Sequence, residues 1–260
     1  MGNNLQPAHQ RIVGHRGAMS VAPQNTKAAF DLALETGVWG LECDVQLSAD
    51  GIPVIFHDPV VTTEGDSLIQ IPDLTLEELK RFDWGDRRSA RYRDEPLLTL
   101  DALLAAYGHR TALLIEIKGY DRNVAPKRMD QLVDATLDSL NRFYGGPWPD
   151  TLYVLSFEHE ILTRAHGAYP DGNYVQNIVD PHAVIRGMEF CPQFLMAYSL
   201  DIERLTGEFT AFAKAQGKQL MTYTSNTPDT ADKAIRLGVD VMMTDHPEWL
   251  QAYLKGTDPP

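Results

Sequence analysis

Glu42 and Asp44 stand two apart in Gly40-Leu41-Glu42-Cys43-Asp44-Val45, an apolar run that reads as a strand. Side chains alternate across a strand, so both carboxylates point to one side and Cys43 to the other. Carboxylates held that close repel unless a cation lies between them, and hard oxygen donors suit Mg²⁺ or Ca²⁺. Alone, the pattern is a weak signal and more often marks a pair of solvated strand-end acids, or one acid paired with Arg16. Glu116 and Lys118 repeat the spacing at the end of Leu113-Leu114-Ile115-Glu116-Ile117-Lys118. Charges on so apolar a strand need partners. They form either a self-neutralising ion pair, or a metal ligand (Glu116) and a group for an anionic substrate oxygen (Lys118). His15 and His57 end two further runs. Beside three carboxylates, two histidines suit a general acid and base near neutral pH. Arg16 offers a planar fork to a phosphate or an ion pair to the carboxylates, and Gly17 lets the chain turn sharply after it.

Other candidates are weaker. Asn226, in Thr224-Ser225-Asn226-Thr227, sits at a strand end and reads as a partner for a substrate hydroxyl or as a helix cap. Asp245, in Thr244-Asp245-His246-Pro247, reads as a cap before it reads as a support for the site. His9, His109, His159, His166 and His182 lie in polar or helical context and read as surface residues. The sequence contains no G-x-S-x-G elbow, no G-x-x-x-x-G-K-[ST] loop and no G-x-G-x-x-G fingerprint. These absences weigh against α/β-hydrolases, nucleotide hydrolases and dinucleotide enzymes.

The elements that must position these groups alternate in type. Strands are expected at Arg11–Gly14, Gly40–Leu47, Ile52–Phe56, Ala112–Ile117, Leu152–Phe157, Tyr174–Ile178, Phe194–Tyr198, Gln219–Thr224 and Val241–Thr244. Helices are expected at Thr26–Thr36, Leu76–Phe82, Leu100–Tyr107, Ala125–Phe143, Ile202–Ala215, Asp229–Leu237 and Glu248–Leu254. The polar stretch Pro59 to Pro96 is too long for an ordinary loop and reads as an insertion or lid. Continuous βα alternation with no linker predicts an α/β fold, a (β/α)₈ TIM barrel over residues 1–260 with a small insertion, 59–96, after the third strand. Strand-end ionisable groups would then converge on one mouth.

The 260 residues carry a net charge of −13. So acidic a chain is a poor candidate for holding nucleic acid through phosphates or anionic lipid by charge. Cys43 and Cys191 match neither a disulfide framework nor a zinc pattern, which suggests a reducing compartment. No basic-then-apolar leader opens the chain, Gln6 stands where a myristoylation signal wants Ser or Thr, and no run is long enough to span a bilayer. A cytoplasmic protein without stable membrane insertion is expected. A homo-oligomer is compatible with the sequence.

In order, the chain carries Gly14-His15-Arg16-Gly17, Ala22-Pro23-Gln24-Asn25-Thr26 with Ala29-Phe30, and Leu41-Glu42-Cys43-Asp44-Val45. Leu47-Ser48-x-Asp50-Gly51, His57-Asp58, Leu98-Thr99-Leu100 and Glu116-x-Lys118 follow. Ser156-Phe157, Tyr223-Thr224 with Asn226, and Gly238-Val239-Asp240 through Thr244-Asp245-x-Pro247 complete the set. This ordered set resembles the glycerophosphodiester phosphodiesterase family across essentially the whole chain. The resemblance implies a barrel that hydrolyses glycerophosphodiesters to sn-glycerol 3-phosphate and an alcohol with one divalent metal ion, Mg²⁺ or Ca²⁺. It places the metal ligands at Glu42, Asp44 and Glu116, the catalytic histidines at His15 and His57, and the phosphate-binding pair at Arg16 and Lys118. Gln24, Asn25, Tyr223, Asn226 and Asp245 would fall behind these groups or on the substrate rim.

Three positions depart from the family's usual pattern. Gln24 replaces a Glu, which weakens the expected pairing with Arg16. Val61 replaces an Arg before Thr62-Thr63, and Tyr223 replaces a Trp; both bear on the leaving-group rim. One rival reading is a related phosphodiesterase acting on lysolipids, with Phe82, Trp84 and Tyr92 lining an apolar groove. Another is a non-catalytic phosphate-binding barrel, which would have no need of a paired acid and base.

Overall fold

Short runs rich in Val, Ile and Leu alternate with stretches that begin on a threonine, and this alternation lays down the barrel. The computed structural model describes residues 11–62, 68–85, 89–119 and 126–257. Gln6, His9, Thr63 and Ala125 lie outside the described residues.

In chain order the strands are β1 (Arg11–Gly14), β2 (Gly40–Leu47), β3 (Pro53–Ile55), β4 (Val60–Thr62), β5 (Leu68–Gln70), β6 (Ala112–Ile117), β7 (Leu152–Ser156), β8 (Asn173–Ile178), β9 (Ala197–Asp201), β10 (Gln219–Tyr223) and β11 (Val241–Thr244). The helices are α1 (Lys27–Glu35), α2 (Leu76–Leu79), α3 (Leu100–Tyr107), α4 (Pro126–Tyr144), α5 (His159–Ala168), α6 (Pro181–Ile185), α7 (Gly207–Ala215), α8 (Pro228–Leu237) and α9 (Pro247–Lys255). Thr26, Thr99, Thr206 and Thr227 each precede a helix and accept a hydrogen bond from a backbone N–H in its first turn. Each hydroxyl thereby satisfies a donor that the helix itself leaves unpaired.

The strands β1, β2, β6, β7, β8, β9, β10 and β11 are parallel and neighbour one another in the order β1-β11-β10-β9-β8-β7-β6-β2. Pairing of Val13 with Gly40 and of Gly14 with Leu41 joins β1 to β2 and closes the barrel, as the alternation predicts. Inward residues such as Val13, Leu114, Val175, Met221 and Met243 fill the interior. Outward residues of the same strands, Cys43 among them, pack under the helices. This is the period-2 division of a barrel strand.

The third strand in the chain is not a stave of the barrel. β3 runs antiparallel to the end of β2, with Val45 opposite Ile55 and Leu47 opposite Pro53. Periodicity reports which face is apolar but not strand direction, so a sequence reading cannot separate the two cases. The pairing has a consequence for the site. Phe56 N donates to Asp44 O at 2.9 Å, which ties the residue before His57 to the strand that carries Glu42 and Asp44. The segment after β3 contains the antiparallel pair β4–β5, α2 and a small core of Val54, Ile71, Leu79, Trp84 and Leu97.

The seventh expected strand, β9 in the structure, shifts. It runs over Ala197–Asp201 rather than Phe194–Tyr198 because Phe194 stacks on His166 at 4.0 Å, outside the sheet. Helix α7 begins at Gly207 rather than Ile202, behind its Thr206 cap. Helices α5 and α6 lie where no helix is expected. Among the described residues, no helix is long and apolar enough to cross a membrane.

Candidate active site

The strand ends bring the expected ionisable groups together. Asp44 and Glu116 are register partners across β2 and β6. With Glu42 they form a cluster in which one oxygen of each carboxylate lies within 4.8 Å of the others. All three are buried, at 2 %, 1 % and 8 % exposure for Glu42, Asp44 and Glu116. Burial so complete means that each charge must be answered inside the protein.

Asp44 is answered by protein groups. Asn25 Nδ2 donates to its Oδ2 at 2.9 Å, Arg16 Nε lies 3.2 Å from the same oxygen, and Lys118 Nζ lies 3.3 Å from Oδ1. Burial pushes its pKa up, but Lys118 and Arg16 outweigh burial and hold it below the usual range. Glu42 is the opposite case. Burial, then the charges of Asp44 and Glu116, push it well above the ordinary carboxylate range, and the hydrogen bond from Arg16 N to Oε2, 3.0 Å, does not offset them. Glu116 is raised by burial and by Asp44, even though it accepts from Lys118 Nζ at 2.7 Å. Three hard oxygen donors, one of them strongly disfavoured as a bare anion, fit a site for a small divalent cation.

The loop after β1 aims Arg16. Its φ of 54° and that of Asn25, 60°, lie in the left-handed region, and Gly17 follows at 83°. Non-glycine residues take that conformation at a cost and concentrate at functional sites. Asn25 N donates back to Arg16 O at 3.0 Å, closing the loop on itself. Arg16 NH1 donates to Gln24 Oε1 at 2.6 Å, and Gln24 Nε2 reaches Asp58 Oδ2 at 3.4 Å. The amide does what a carboxylate could not: it accepts from the guanidinium and donates to an acid.

Each histidine has its own aspartate. His15 Nδ1 lies 2.7 Å from Asp245 Oδ1, and His57 Nδ1 lies 2.8 Å from Asp58 Oδ1. A carboxylate on Nδ1 fixes the ring and leaves Nε2 for proton transfer. Asn226 Nδ2 holds the other oxygen of Asp245 at 2.7 Å. Burial raises Asp245, and the hydrogen bonds from His15 and Asn226 more than reverse it. Asp58 is lowered first by its hydrogen bond with His57. Asp245 therefore does not cap a helix: the cap position of α9 is His246, which makes no side-chain cap hydrogen bond. Asn226 does not cap α8 either, because Thr227 does.

His15, Arg16, Glu42, His57, Glu116, Lys118, Tyr223 and Asp245 line one cavity of about 250 Å³, with Phe157 and Leu155 among its apolar walls. Gln24, Asn25 and Asn226 stand behind it. A larger cavity of about 640 Å³, between α1 and α9, holds none of these groups. Size is the poorer guide here, because the smaller cavity has the convergent charges. Of the aromatic residues expected along an apolar groove, Trp84 is in the core of the segment after β3 with Phe82 beside it, and Tyr92 packs on Ala22 and Ala29.

Two residues of the site were not anticipated. Asp58 carried no expected role beyond its place beside His57. Asn177, inward on β8, donates to Glu116 Oε2 at 3.0 Å. Its only signal in the sequence is a polar residue at an inward position of an apolar strand.

Buried carboxylates, paired histidine and aspartate, and two cations at the strand ends of a closed parallel barrel define an enzyme of the phosphodiesterase class. The glycerophosphoryl diester phosphodiesterase family model matches residues 15–249, and the chain belongs to that family. The glycerophosphodiester phosphodiesterase of Caldanaerobacter subterraneus subsp. tengcongensis is 31% identical over 248 residues, 92% of this chain and 95% of that one. A phosphodiesterase of Oleispira antarctica, solved in complex with the product sn-glycerol-3-phosphate, superposes with a TM-score of 0.80 at 27% identity, covering 95% of this chain and 97% of that chain. The Thermotoga maritima glycerophosphodiester phosphodiesterase shares the fold, with a TM-score of 0.70 at 22% identity over 95% of this chain and 98% of that one.

Proposed function

We propose that the protein hydrolyses glycerophosphodiesters to sn-glycerol 3-phosphate and an alcohol, using Mg²⁺ or Ca²⁺ held by Glu42, Asp44 and Glu116. The observation that carries this reading is the convergence of that triad, Arg16, Lys118 and both histidines around one cavity of about 250 Å³. Family membership and the named activity of the relatives support it.

When bound, the cation would neutralise charge on a phosphate oxygen and complete the coordination that the three carboxylates begin. Arg16 and Lys118 bind the remaining phosphate oxygens and stabilise charge as it builds on them. His15, held by Asp245, takes the proton of the attacking oxygen, which is either a water or the glycerol hydroxyl beside the phosphate; in the second case a cyclic phosphate forms and a water then opens it to glycerol 3-phosphate. His57, held by Asp58, gives a proton to the departing alcohol oxygen. Phe157, Leu155 and Met243 give the cavity apolar walls, beside which charge interactions are stronger than in bulk water. The chain is read as a single phosphodiesterase domain with 59–96 as an inserted lid-like segment within it, and the free cysteines suit a reducing cytoplasm.

The test is release of glycerol 3-phosphate from glycerophosphocholine and glycerophosphoethanolamine with Mg²⁺, Ca²⁺ or EDTA. Release that EDTA abolishes is expected. No release with any metal would remove this reading and turn attention to lysolipids or to ligand binding alone.

A further inference from the structure

The two histidine–aspartate pairs are completed alike but anchored differently. In each, one aspartate oxygen holds the imidazole and a side-chain amide holds the other oxygen. Asn226 Nδ2 donates to Asp245 Oδ2 at 2.7 Å, and Gln24 Nε2 donates to Asp58 Oδ2 at 3.4 Å. The difference lies at the far end of each amide. Asn226 Oδ1 accepts from Asp245 N at 2.9 Å and from Thr244 Oγ1 at 3.0 Å, so the His15 pair is fastened to the end of β11. Gln24 Oε1 accepts from the Arg16 guanidinium at 2.6 Å, so the His57 pair is fastened to a side chain that the proposed reaction places on the phosphate.

The position between Arg16 and Asp58 is chemically exacting. A guanidinium has donors and no acceptor, and an ionised carboxylate has acceptors alone. The hydrogen bond with His57 holds Asp58 below the ordinary carboxylate range, so it is ionised near neutral pH. A side chain that joins the two must accept at one end and donate at the other, which an amide does. The same requirement fixes which end of Gln24 is oxygen.

Asp58 depends on this second anchor. Gln46 Nε2 holds its backbone by donating to Phe56 O and Asp58 O at 2.9 Å. Its side chain, however, is more exposed than that of Asp245, and water competes for an exposed carboxylate. With Gln24 removed, the Asp58 carboxylate is free to turn, and His57 Nδ1 turns with it.

We propose that Gln24 is a positioning residue that ties the aim of His57, the acid for the departing alcohol, to Arg16, the side chain that takes the phosphate. The proposal rests on the diesterase reading above. Arg16, Gln24, Asp58 and His57 form one hydrogen-bonded chain, so phosphate oxygens that draw Arg16 into place bring the acid into line. The base is set by the barrel, and the acid by the occupied phosphate site.

Two leaving groups separate this role from a general loss of binding. Choline must be protonated as it leaves glycerophosphocholine, whereas p-nitrophenolate leaves glycerol p-nitrophenyl phosphate without a proton. Gln24→Glu keeps the acceptor for Arg16 and loses the donor to Asp58. The ratio of kcat for the choline ester to kcat for the nitrophenyl ester is expected to fall at least ~10-fold in this variant, the weight of one hydrogen bond to a charged group. His57→Ala should lower the same ratio further. An unchanged ratio, or a fall shared equally by both esters, would overturn the proposal.

A second test is independent of turnover. Long-range proton–nitrogen correlation spectra of the histidine rings report which nitrogen carries the proton. His57 is expected to be protonated on Nδ1 in the wild type. Gln24→Met removes the amide and adds no charge. It should move the His57 signals towards a mixture of tautomers and leave those of His15 in place, which also shows that the variant is folded. Unmoved His57 signals, or equal movement at both rings, would overturn the proposal. Movement confined to His57, in a protein that hydrolyses no diester, would uphold the link through Gln24 and overturn the diesterase reading instead.

Discussion

Asn177 donates its side-chain amide to Glu116 Oε2 at 3.0 Å, from β8 to β6, across the intervening strand β7. Alternate strands of a barrel place their inward side chains in one layer, so the bond locks one carboxylate of the triad from within the barrel. Asn177→Ala should weaken metal binding by ~10–100-fold, the usual effect of removing a group that orients a ligand. The fold should survive, at a cost of about 1–3 kcal/mol for the stranded acceptor. Calorimetric titration with Mg²⁺ and Ca²⁺, beside a thermal melt, measures both; an unchanged metal affinity would take Asn177 out of the site.

His15→Ala and His57→Ala should each lose at least ~100-fold in kcat, given the weight of acid–base catalysis, with circular dichroism unchanged. Near-normal turnover by either variant would exclude that histidine from the reaction.

The two aspartates differ in shelter. The His15–Asp245 pair has side-chain exposures of 15% and 22%, and the His57–Asp58 pair 29% and 47%. A charge pair screened less by water is worth more. Asp245→Asn should therefore lower kcat more than Asp58→Asn. Equal losses would mean that exposure does not set the value of these contacts.

Glu42 and Glu116 are raised in the folded protein, while Asp44 is lowered. Above the ordinary value of 4.5, the metal-free fold therefore binds more protons at the two glutamates than the unfolded chain does. Their contribution to stability falls as pH rises towards their raised values. Asp44 works in the other direction: its contribution is present above its ordinary 3.8 and is lost only as pH falls below that. A bound cation takes the glutamates as anions and releases their protons. The gain in Tm from added Mg²⁺ or Ca²⁺ should thus grow as pH rises above 4.5, the ordinary value of the glutamates. Glu42→Gln should flatten that growth, and a wild-type gain independent of pH would contradict the raised glutamates.

Gly17→Ala tests the loop that aims Arg16. An added Cβ would lie 2.5 Å from the backbone carbon of Ala29, at a φ of +83°. Overpacking against backbone and a left-handed conformation together should cost about 1–3 kcal/mol. Urea unfolding should show a lower midpoint with the same slope, and an unchanged midpoint would mean that the loop can relax.

The triad, His15 and Arg16 were legible because they sit at strand ends, where alternation alone says which way a side chain points. The closed barrel was legible because β and α patterns alternate without a break. Asn177 was not, since its role depends on a strand two places away. Asp245 was read first as a cap because the residues before any helix invite that reading, and its true partner lies 230 positions earlier in the chain. Direction was equally hidden at β3, where an apolar run has the same pattern parallel or antiparallel. Phe194 was misplaced because an aromatic that packs outside the sheet looks, in sequence, like one within it.

The contact between His15 and Asp245 also bears on synthesis. It spans the seam where β1 meets β11, so during translation His15 has no partner until β11 and the residue after it have been made. Every barrel stave can be present except one, and the histidine is still unoriented. On the proposed role of His15, orientation of the base and closure of the barrel are one event, the pairing of β1 with β11.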